Sequence, residues 1–384
     1  MKRTKVIADD KIPFLKGILE PVADVSYLPG KQIKKRDLMD ADALLIRTRT
    51  KCNADLLEGT AVKFIATATI GFDHIDAEYC EQNNIQWRNA PGCNSSSVEQ
   101  YIVAALLHMS EKHSFCLKDK KLGIIGVGNV GSKVARAARV LGMEVLLNDP
   151  PRERVEKSVD FVGIDEIRAN ADIITFHVPL NMSGIDKTYH LADSDFYDKV
   201  APGIIIMNSS RGGVINEKAL KDALSTGRVK DAVIDVWENE PLIDEELLKR
   251  SGIATPHIAG YSVDGKANGT MMSTKALSDF FGLGLKSRMP EDLPGKETRN
   301  IVVDCTGMHD EEIIREVYSQ SYEIMNDDSA LRENVRKFED LRGNYPVRRE
   351  PAYYSVRLNN NPFEYLEEML ENLGFSVLEI DCFC

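Results

Sequence analysis

The chain has 384 residues, of which 43% are hydrophobic and 28% charged, with a formal net charge of −12. This is too long for one ordinary core and implies two or three domains of a soluble globular protein. A phosphate backbone selects clustered Lys and Arg, so the acidic balance argues against nucleic acid as a partner.

From the N-terminus, apolar β-branched runs alternate with helix-length amphipathic segments through most of the chain, the signature of βαβ units and parallel sheets. The first block predicts strands at "KVIAD", "DALLIRT", "VKFIATAT" and "IQWRNA". Before the third of these, "NADLLEG" predicts a short helix capped by Asn53 and stopped by Gly59. A long helix follows from Ser96 to Lys112, with Glu99 at capping-box spacing from Ser96. Strands then recur as "KLGIIGV", "EVLLND", "DIITFHV", "GIIIMNS", "DAVIDVW" and "GIATPHI", with helices such as "NEKALKDALSTG" between them. Near residue 286 the texture changes to "KSRMPEDLPGKETRN", a linker rich in charge and proline. Beyond it, "NIVVDCT", "YYSVRLN" and "FSVLEID" predict strands, and "DEEIIREVYSQSYEIM" and "FEYLEEMLENLG" predict helices. The expected fold is α/β: two doubly wound Rossmann-like parallel-sheet domains plus a small C-terminal α+β domain. Residues 1–95 with 263–285 form the first domain, 96–262 the second and 286–384 the third, with hinges near 95–100 and 262–268.

No run of 18 apolar residues is present, so a membrane is not an expected partner. The start, "MKRTKVIADD", lacks an apolar signal core, which makes the cytoplasm the expected location. The seven cysteines include no CxxC, and the close pair Cys382 and Cys384 lies at the C-terminus. Neither a metal site nor a disulfide is expected from that usage.

The strand "KLGIIGV" runs into Gly126-x-Gly128-x-x-Gly131, with Asn129 and Val130 opening a helix. Gly126 permits the tight turn, Gly128 lets backbone approach a pyrophosphate, and Gly131 allows close helix–strand packing. The helix N-terminus then presents free N–H groups to the phosphates. Asp149, at the end of the next strand, can accept the ribose hydroxyls of an adenosine and would repel a 2′-phosphate. NAD is therefore favoured over NADP, although Arg152 and Arg154 stand close enough to hold that extra phosphate.

Three later strands end in "MNSSRGGVIN", "DVWENEP" and "TPHIAG", placing Arg211, then Asp235 and Glu240, then His257 where doubly wound sheets bind ligands. Taken singly, these could be a surface cation, loop carboxylates and a core histidine. Together they suit the oxidation of a hydroxy acid. Histidine titrates near neutrality, so His257 can take the hydroxyl proton. Glu240 on the other ring nitrogen would fix its tautomer, and Arg211 could grip a carboxylate with two prongs.

This set resembles the NAD-dependent D-2-hydroxyacid dehydrogenases, whose motifs include the GxGxxG, an arginine in N-x-x-R-G, a glutamate before proline and P-H-I-A-G. The resemblance implies Arg211, Glu240 and His257 as catalytic residues, and Asp235 as acceptor for the nicotinamide carboxamide. Further segments, "NAPGCNSSSVEQY", "TATIGFDHID", "LLNDPPR", "DIITFHVPL", "HIAGYSVDGKANGT" and "DDSALRENVRKFEDLRGNYPVRRE", are similar to one branch of that family. Members of that branch act on a small phosphorylated 2-hydroxy acid and form a homodimer through the C-terminal domain. The resemblance implies substrate contacts from Thr48, Thr69 and Tyr261, and NAD contacts from Asp149, Asp235 and Gly260. Val178 stands where the branch has a threonine, so it offers only a backbone contact.

The substrate phosphate needs cations. Arg47 and Arg49 are candidates, because residues two apart on a strand share a face; the other reading is an exposed pair. Arg348 and Arg349 form a second pair, which could reach a partner's active site. The competing readings are another 2-hydroxy acid (3-phosphoglycerate, glycerate or lactate) as substrate, or a non-catalytic NAD-sensing scaffold on the same fold.

Overall fold

The computed structural model describes residues 3–157, 160–286, 289–290, 293–295 and 299–378. The chain divides into two compact units, residues 1–94 with 262–294 and residues 95–261 with 295–384.

In the first unit, five parallel strands, β1 (Thr4–Asp9), β2 (Ala23–Leu28), β3 (Ala43–Ile46), β4 (Phe64–Thr67) and β5 (Gln86–Arg88), run in the order β2-β1-β3-β4-β5. β3 and β4 are buried at every position. Parallel sheets are covered on both faces, so such strands read as continuous apolar runs. β2 escapes that signal: it is an edge strand, and "ADVSYL" buries only its first residue. Asn53 caps its helix by accepting the Leu56 N–H, and Gly59, with φ 71°, follows the helix end. The Val263–Phe281 helix returns to this unit, with Ser262 as N-cap. Gly269 is needed there, because a Cβ would stand 2.8 Å from the Ala68 carbonyl oxygen.

In the second unit, six parallel strands, β6 (Lys121–Ile125), β7 (Glu144–Asn148), β8 (Ile173–Phe176), β9 (Ile204–Asn208), β10 (Val229–Ile234) and β11 (Ile253–Ala254), run in the order β11-β10-β9-β8-β6-β7. The helix expected from Ser96 spans Ser95–His113 and is buried around most of its girth. Its expected capping box does not form. Arg136 draws the Glu99 carboxylate sideways at 2.9 Å, and Lys133 donates to the Ser96 hydroxyl.

The same unit holds a three-stranded sheet in the order β12-β13-β14: β12 (Asn300–Asp304), β13 (Ser355–Asn359) and β14 (Ser376–Val377), all parallel. The single helix expected over 310–325 is two, Asp310–Ser321 and Ile324–Glu333, because Tyr322 turns extended between them. Residues 379–384, including the end of the expected last strand and Cys382 and Cys384, lie outside the described residues, as do parts of the expected linker. The C-terminal helices cap an edge. Asp328 accepts the Ala254 N–H of β11 at 2.7 Å, and Arg332 donates to the Leu248 and Ser251 carbonyls. Among the described residues, no helix is long and apolar enough to cross a membrane.

Candidate active site

The strand order of the second unit reverses at β6, with β7 on one side and β8 on the other, and the glycine loop leaves β6 at that point. Gly126 turns with φ 90°, which favours glycine. A Cβ at Gly131 would overlap the Gly126 carbonyl, so the helix Asn129–Val140 can lie this close only with glycine there. The Asp149 carboxylate accepts the Val127 N–H at 2.8 Å and the Arg152 N–H at 3.1 Å, tying the end of β7 to the loop. Val178 packs beneath Gly126, within 2.7 Å of where a Cβ would be. Both arginines that left a 2′-phosphate open are in ion pairs, Arg152 with Glu156 and Arg154 with Asp186. A depression of 210 Å³, lined in part by Val127, Ser132, Leu147 and Arg152, adjoins the loop.

β9, β10 and β11 are neighbours, so the three chemistry-bearing segments emerge side by side. Arg211 follows β9, and the Asn208 amide holds its carbonyl at 2.9 Å. A Cβ on Gly212 would overlap the Trp237 carbonyl, which puts the Arg211 loop directly on the Trp237–Glu240 loop. Glu240 uses both oxygens: Oε1 accepts the Trp237 N–H at 3.0 Å, and Oε2 meets His257 Nδ1 at 2.7 Å. Burial alone would push the Glu240 carboxyl up, but the His257 ring, the Trp237 N–H and the Arg342 charge hold it below its ordinary value.

Asp235, 1% exposed, binds the turn that carries His257. Its carbonyl accepts the His257 N–H at 2.7 Å, and its carboxylate accepts the Ile258 N–H at 2.7 Å, the Ala259 N–H at 3.1 Å and the Thr255 hydroxyl at 2.7 Å. Burial pushes this carboxyl above the usual carboxylate range against the pull of those donors and of His257. His257 itself has φ 56°, a left-handed conformation that costs a non-glycine residue on the order of 1–2 kcal/mol. After Gly260 the chain reaches Tyr261, whose N–H donates to the Ile258 carbonyl at 2.8 Å. The Tyr261 ring meets Tyr345 edge-on at 5.7 Å and has the Arg342 guanidinium 5.7 Å from its centroid.

Arg342, Tyr345 and Arg348 all come from the C-terminal segment, and of these only Arg348 was a candidate from sequence. Arg348 corrects an expectation outright. It is 2% exposed and donates within its own chain to the Gln100 side chain and to the carbonyls of Ser97, Ile258 and Ala259, so it cannot reach a partner. Arg349 lies over the Tyr353 ring at 4.0 Å.

In the first unit, the strand order reverses between β1 and β3, and Asp9 and Arg47 stand at their carboxyl ends. Arg47 grips the buried Asp9 carboxylate through Nε at 3.1 Å and Nη2 at 3.3 Å. β3 ends at Ile46, so Arg47, Thr48 and Arg49 lie beyond the strand, and strand alternation does not place the two arginines on one face. The Thr69 hydroxyl shares a 2.7 Å bond with that of Thr67 and donates to the Gly71 carbonyl. Lys266, in the first turn of the Val263–Phe281 helix, was overlooked. Burial and the neighbouring Arg47 charge hold its ammonium below the usual lysine value.

Residues 95–259 match the D-isomer specific 2-hydroxyacid dehydrogenase, NAD binding domain, and residues 293–374 match a domain of unknown function. Among solved structures, the chain is similar to D-lactate dehydrogenase from Aquifex aeolicus complexed with NAD and lactic acid. That match has TM-score 0.61 and 23% identity, covering 73% of this chain and 96% of the other. It is also similar to a glyoxylate reductase from Paecilomyes thermophila, with TM-score 0.63 and 23% identity, covering 76% of this chain and 99% of the other. The fold and the glycine loop therefore define an NAD-dependent oxidoreductase of the D-2-hydroxyacid dehydrogenase class.

Closer relatives narrow the class. The chain is 50% identical to erythronate-4-phosphate dehydrogenase of Bacteroides fragilis over 353 residues, covering 92% of this chain and 99% of that protein. It is 40% identical to the Proteus mirabilis enzyme of the same name over 375 residues, covering 97% and 99%. The chain belongs to the erythronate-4-phosphate dehydrogenase family.

Proposed function

We propose that the protein oxidises 4-phospho-D-erythronate at C2 with NAD, giving (R)-3-hydroxy-2-oxo-4-phosphooxybutanoate in vitamin B6 biosynthesis. The observation that carries this reading is the 2.7 Å contact of Glu240 with His257 Nδ1 on a turn held by Asp235, which leaves Nε2 for the substrate. Bound NAD supplies the hydride acceptor. His257 Nε2 takes the proton from the C2 hydroxyl as the C2–H bond gives up its hydride, and Glu240 stabilises the imidazolium that forms. That proton then passes to solvent. Arg211 holds the substrate carboxylate and orients C2. Thr48, Thr69 and Tyr261 contact substrate, and Arg47 faces its phosphate. Gly126, Gly128, Asn129, Val130 and Gly131 cradle the pyrophosphate of NAD, Asp149 takes its ribose, and Asp235 and Gly260 its nicotinamide end.

The active form is a homodimer built on the C-terminal region. In support, β12 and β13 bury only alternate residues, and the other face of this parallel sheet carries Val302, 52% exposed, and Arg357. Parallel sheets are covered on both faces in almost all proteins.

The test is NADH formation from 4-phospho-D-erythronate beside 3-phosphoglycerate, glycerate and lactate. The first acid should be strongly preferred, and His257→Asn should lower kcat by roughly 10²–10⁴ while NADH still binds. A preference for another acid would replace the substrate. Hydride transfer unchanged by His257→Asn would favour the scaffold reading.

A further inference from the structure

The His257 turn is held from two sides by opposite charges. Asp235, from the end of β10, takes its N–H groups, as described above. Its carbonyl groups face the other way, toward a cation from far along the chain. Arg348 Nη1 donates to the Ile258 carbonyl at 3.4 Å and to the Ala259 carbonyl at 3.3 Å. The rest of the guanidinium is anchored on the Ser95–His113 helix, with Nε on Gln100 Oε1 at 3.0 Å and Nη2 on the Ser97 carbonyl at 2.6 Å. Its face lies 3.7 Å from the Tyr322 ring centroid.

Burying a guanidinium costs several kcal/mol of desolvation, and an apolar side chain would fill the same space without that cost. The guanidinium bonds the Gln100 and Tyr345 side chains and three main-chain carbonyls, two of them in the segment just after His257, while Asp327 acts on it through its charge. The Ile258 carbonyl also accepts the Tyr261 N–H, and carbonyls lying outside strands and helices retain capacity for a side-chain donor; a planar fork with five donors suits several at once. A residue held at φ 56° persists when its surroundings over-determine it. Asp235 and Arg348 together do this: Asp235 takes the N–H groups of His257, Ile258 and Ala259, and Arg348 the carbonyls of Ile258 and Ala259.

We infer that Arg348 is a positioning residue for the acid/base histidine, and that the C-terminal segment completes the active-site turn of its own chain as well as offering a surface for a partner. The inference rests on His257 being the acid/base. The guanidinium fixes where the Ile258 and Ala259 carbonyls point, and thereby how His257 presents Nε2 while Nδ1 stays on Glu240. A displacement of about 1 Å at such a group can cost roughly a hundredfold in rate.

The experiment compares Arg348→Ala, Arg348→Lys, Gln100→Ala and His257→Asn in the full chain, reading kcat, KM for the hydroxy acid, NADH affinity and circular dichroism. Arg348→Ala should stay folded and bind NADH within about threefold of wild type, with kcat down roughly a hundredfold. Arg348→Lys should recover about tenfold of that, because the charge stays but the fork is lost. A folded Arg348→Ala with kcat within about threefold of wild type overturns the inference, as does a kcat loss that merely follows lost NADH binding. Should Arg348→Ala fail to fold, Gln100→Ala decides, since it frees one anchor of the guanidinium: a several-fold fall in kcat supports the inference and an unchanged kcat overturns it. Full activity in His257→Asn would mean that the acid/base reading had failed instead.

Discussion

Glu217 shows how a single side chain in this unit answers to pH. It opens the helix Glu217–Ser225, where the helix N-terminus favours a negative charge, yet it is buried, and its Oε1 accepts the Glu238 N–H at 2.8 Å. Burial wins and pushes the carboxyl up to about 7. A carboxyl with a raised folded-state value favours the folded state fully below its unfolded value of 4.5. That contribution fades as pH rises through about 7. Glu217→Gln keeps the acceptor for Glu238 and removes the charge. Its melting temperature should match wild type near pH 4.5 and exceed it increasingly toward pH 8, by about 1–4 °C. A constant difference across that range would mean Glu217 is ionised throughout. Glu240 has the opposite sign. Its lowered value makes the His257 contact a stabilising one above the ordinary glutamate range, lost as the solution is acidified below it.

Among the elements, the edge strand β11 depends on residues remote in sequence. It is two residues long and has β10 on one side only. On the other side Asp328 accepts the Ala254 N–H, while Arg332 bonds Asp328 at 2.7 Å and two carbonyls next to the strand. A carboxylate thus takes the place of a further strand, and the exposed edge that would invite pairing is covered. Asp328→Ala would leave a buried N–H without an acceptor and should lower unfolding free energy by about 2 kcal/mol in urea titrations. A change below about 0.5 kcal/mol would show that water replaces the carboxylate. The effect should extend to catalysis, since β11 leads directly into the His257 turn. The Ser95–His113 helix makes the same point: its expected cap was overridden because Glu99 pairs with Arg136 of a neighbouring helix.

For the molecule as a whole, the open face of the β12–β14 sheet is where assembly should be tested. Val302→Lys puts a charge on that face without touching the buried Ile301 and Val303 beside it. Sedimentation of wild type and variant should give a dimer and a monomer respectively, with the circular dichroism unchanged. Two dimers would place the contact elsewhere.

Much of this protein was legible in its residues because the physics involved is local. Strand, turn and helix follow one another within a few positions at Gly126–Gly131, and so do the apolar runs of β3, β4, β6 and β8–β10. Arg211, Glu240 and His257 could be picked out because each lies in the segment that leaves a strand-like run. β2 was not legible, since an edge strand needs no apolar run. Nor were Arg342, Tyr345 and the in-chain role of Arg348, since all three look like ordinary polar residues of a charged segment until the C-terminal helices fold back onto the end of β11. The sequence by itself determined the parallel sheets, the phosphate loop and the residue types available for hydride chemistry, because short-range sterics and hydrophobic periodicity are written into neighbouring positions. Only the tertiary structure decided which charges are spent on holding the turn of His257 and which are left for a ligand. A buried ion's role depends on what surrounds it in space, and Arg348 and the carbonyls of Ile258 and Ala259 are some ninety residues apart in the chain.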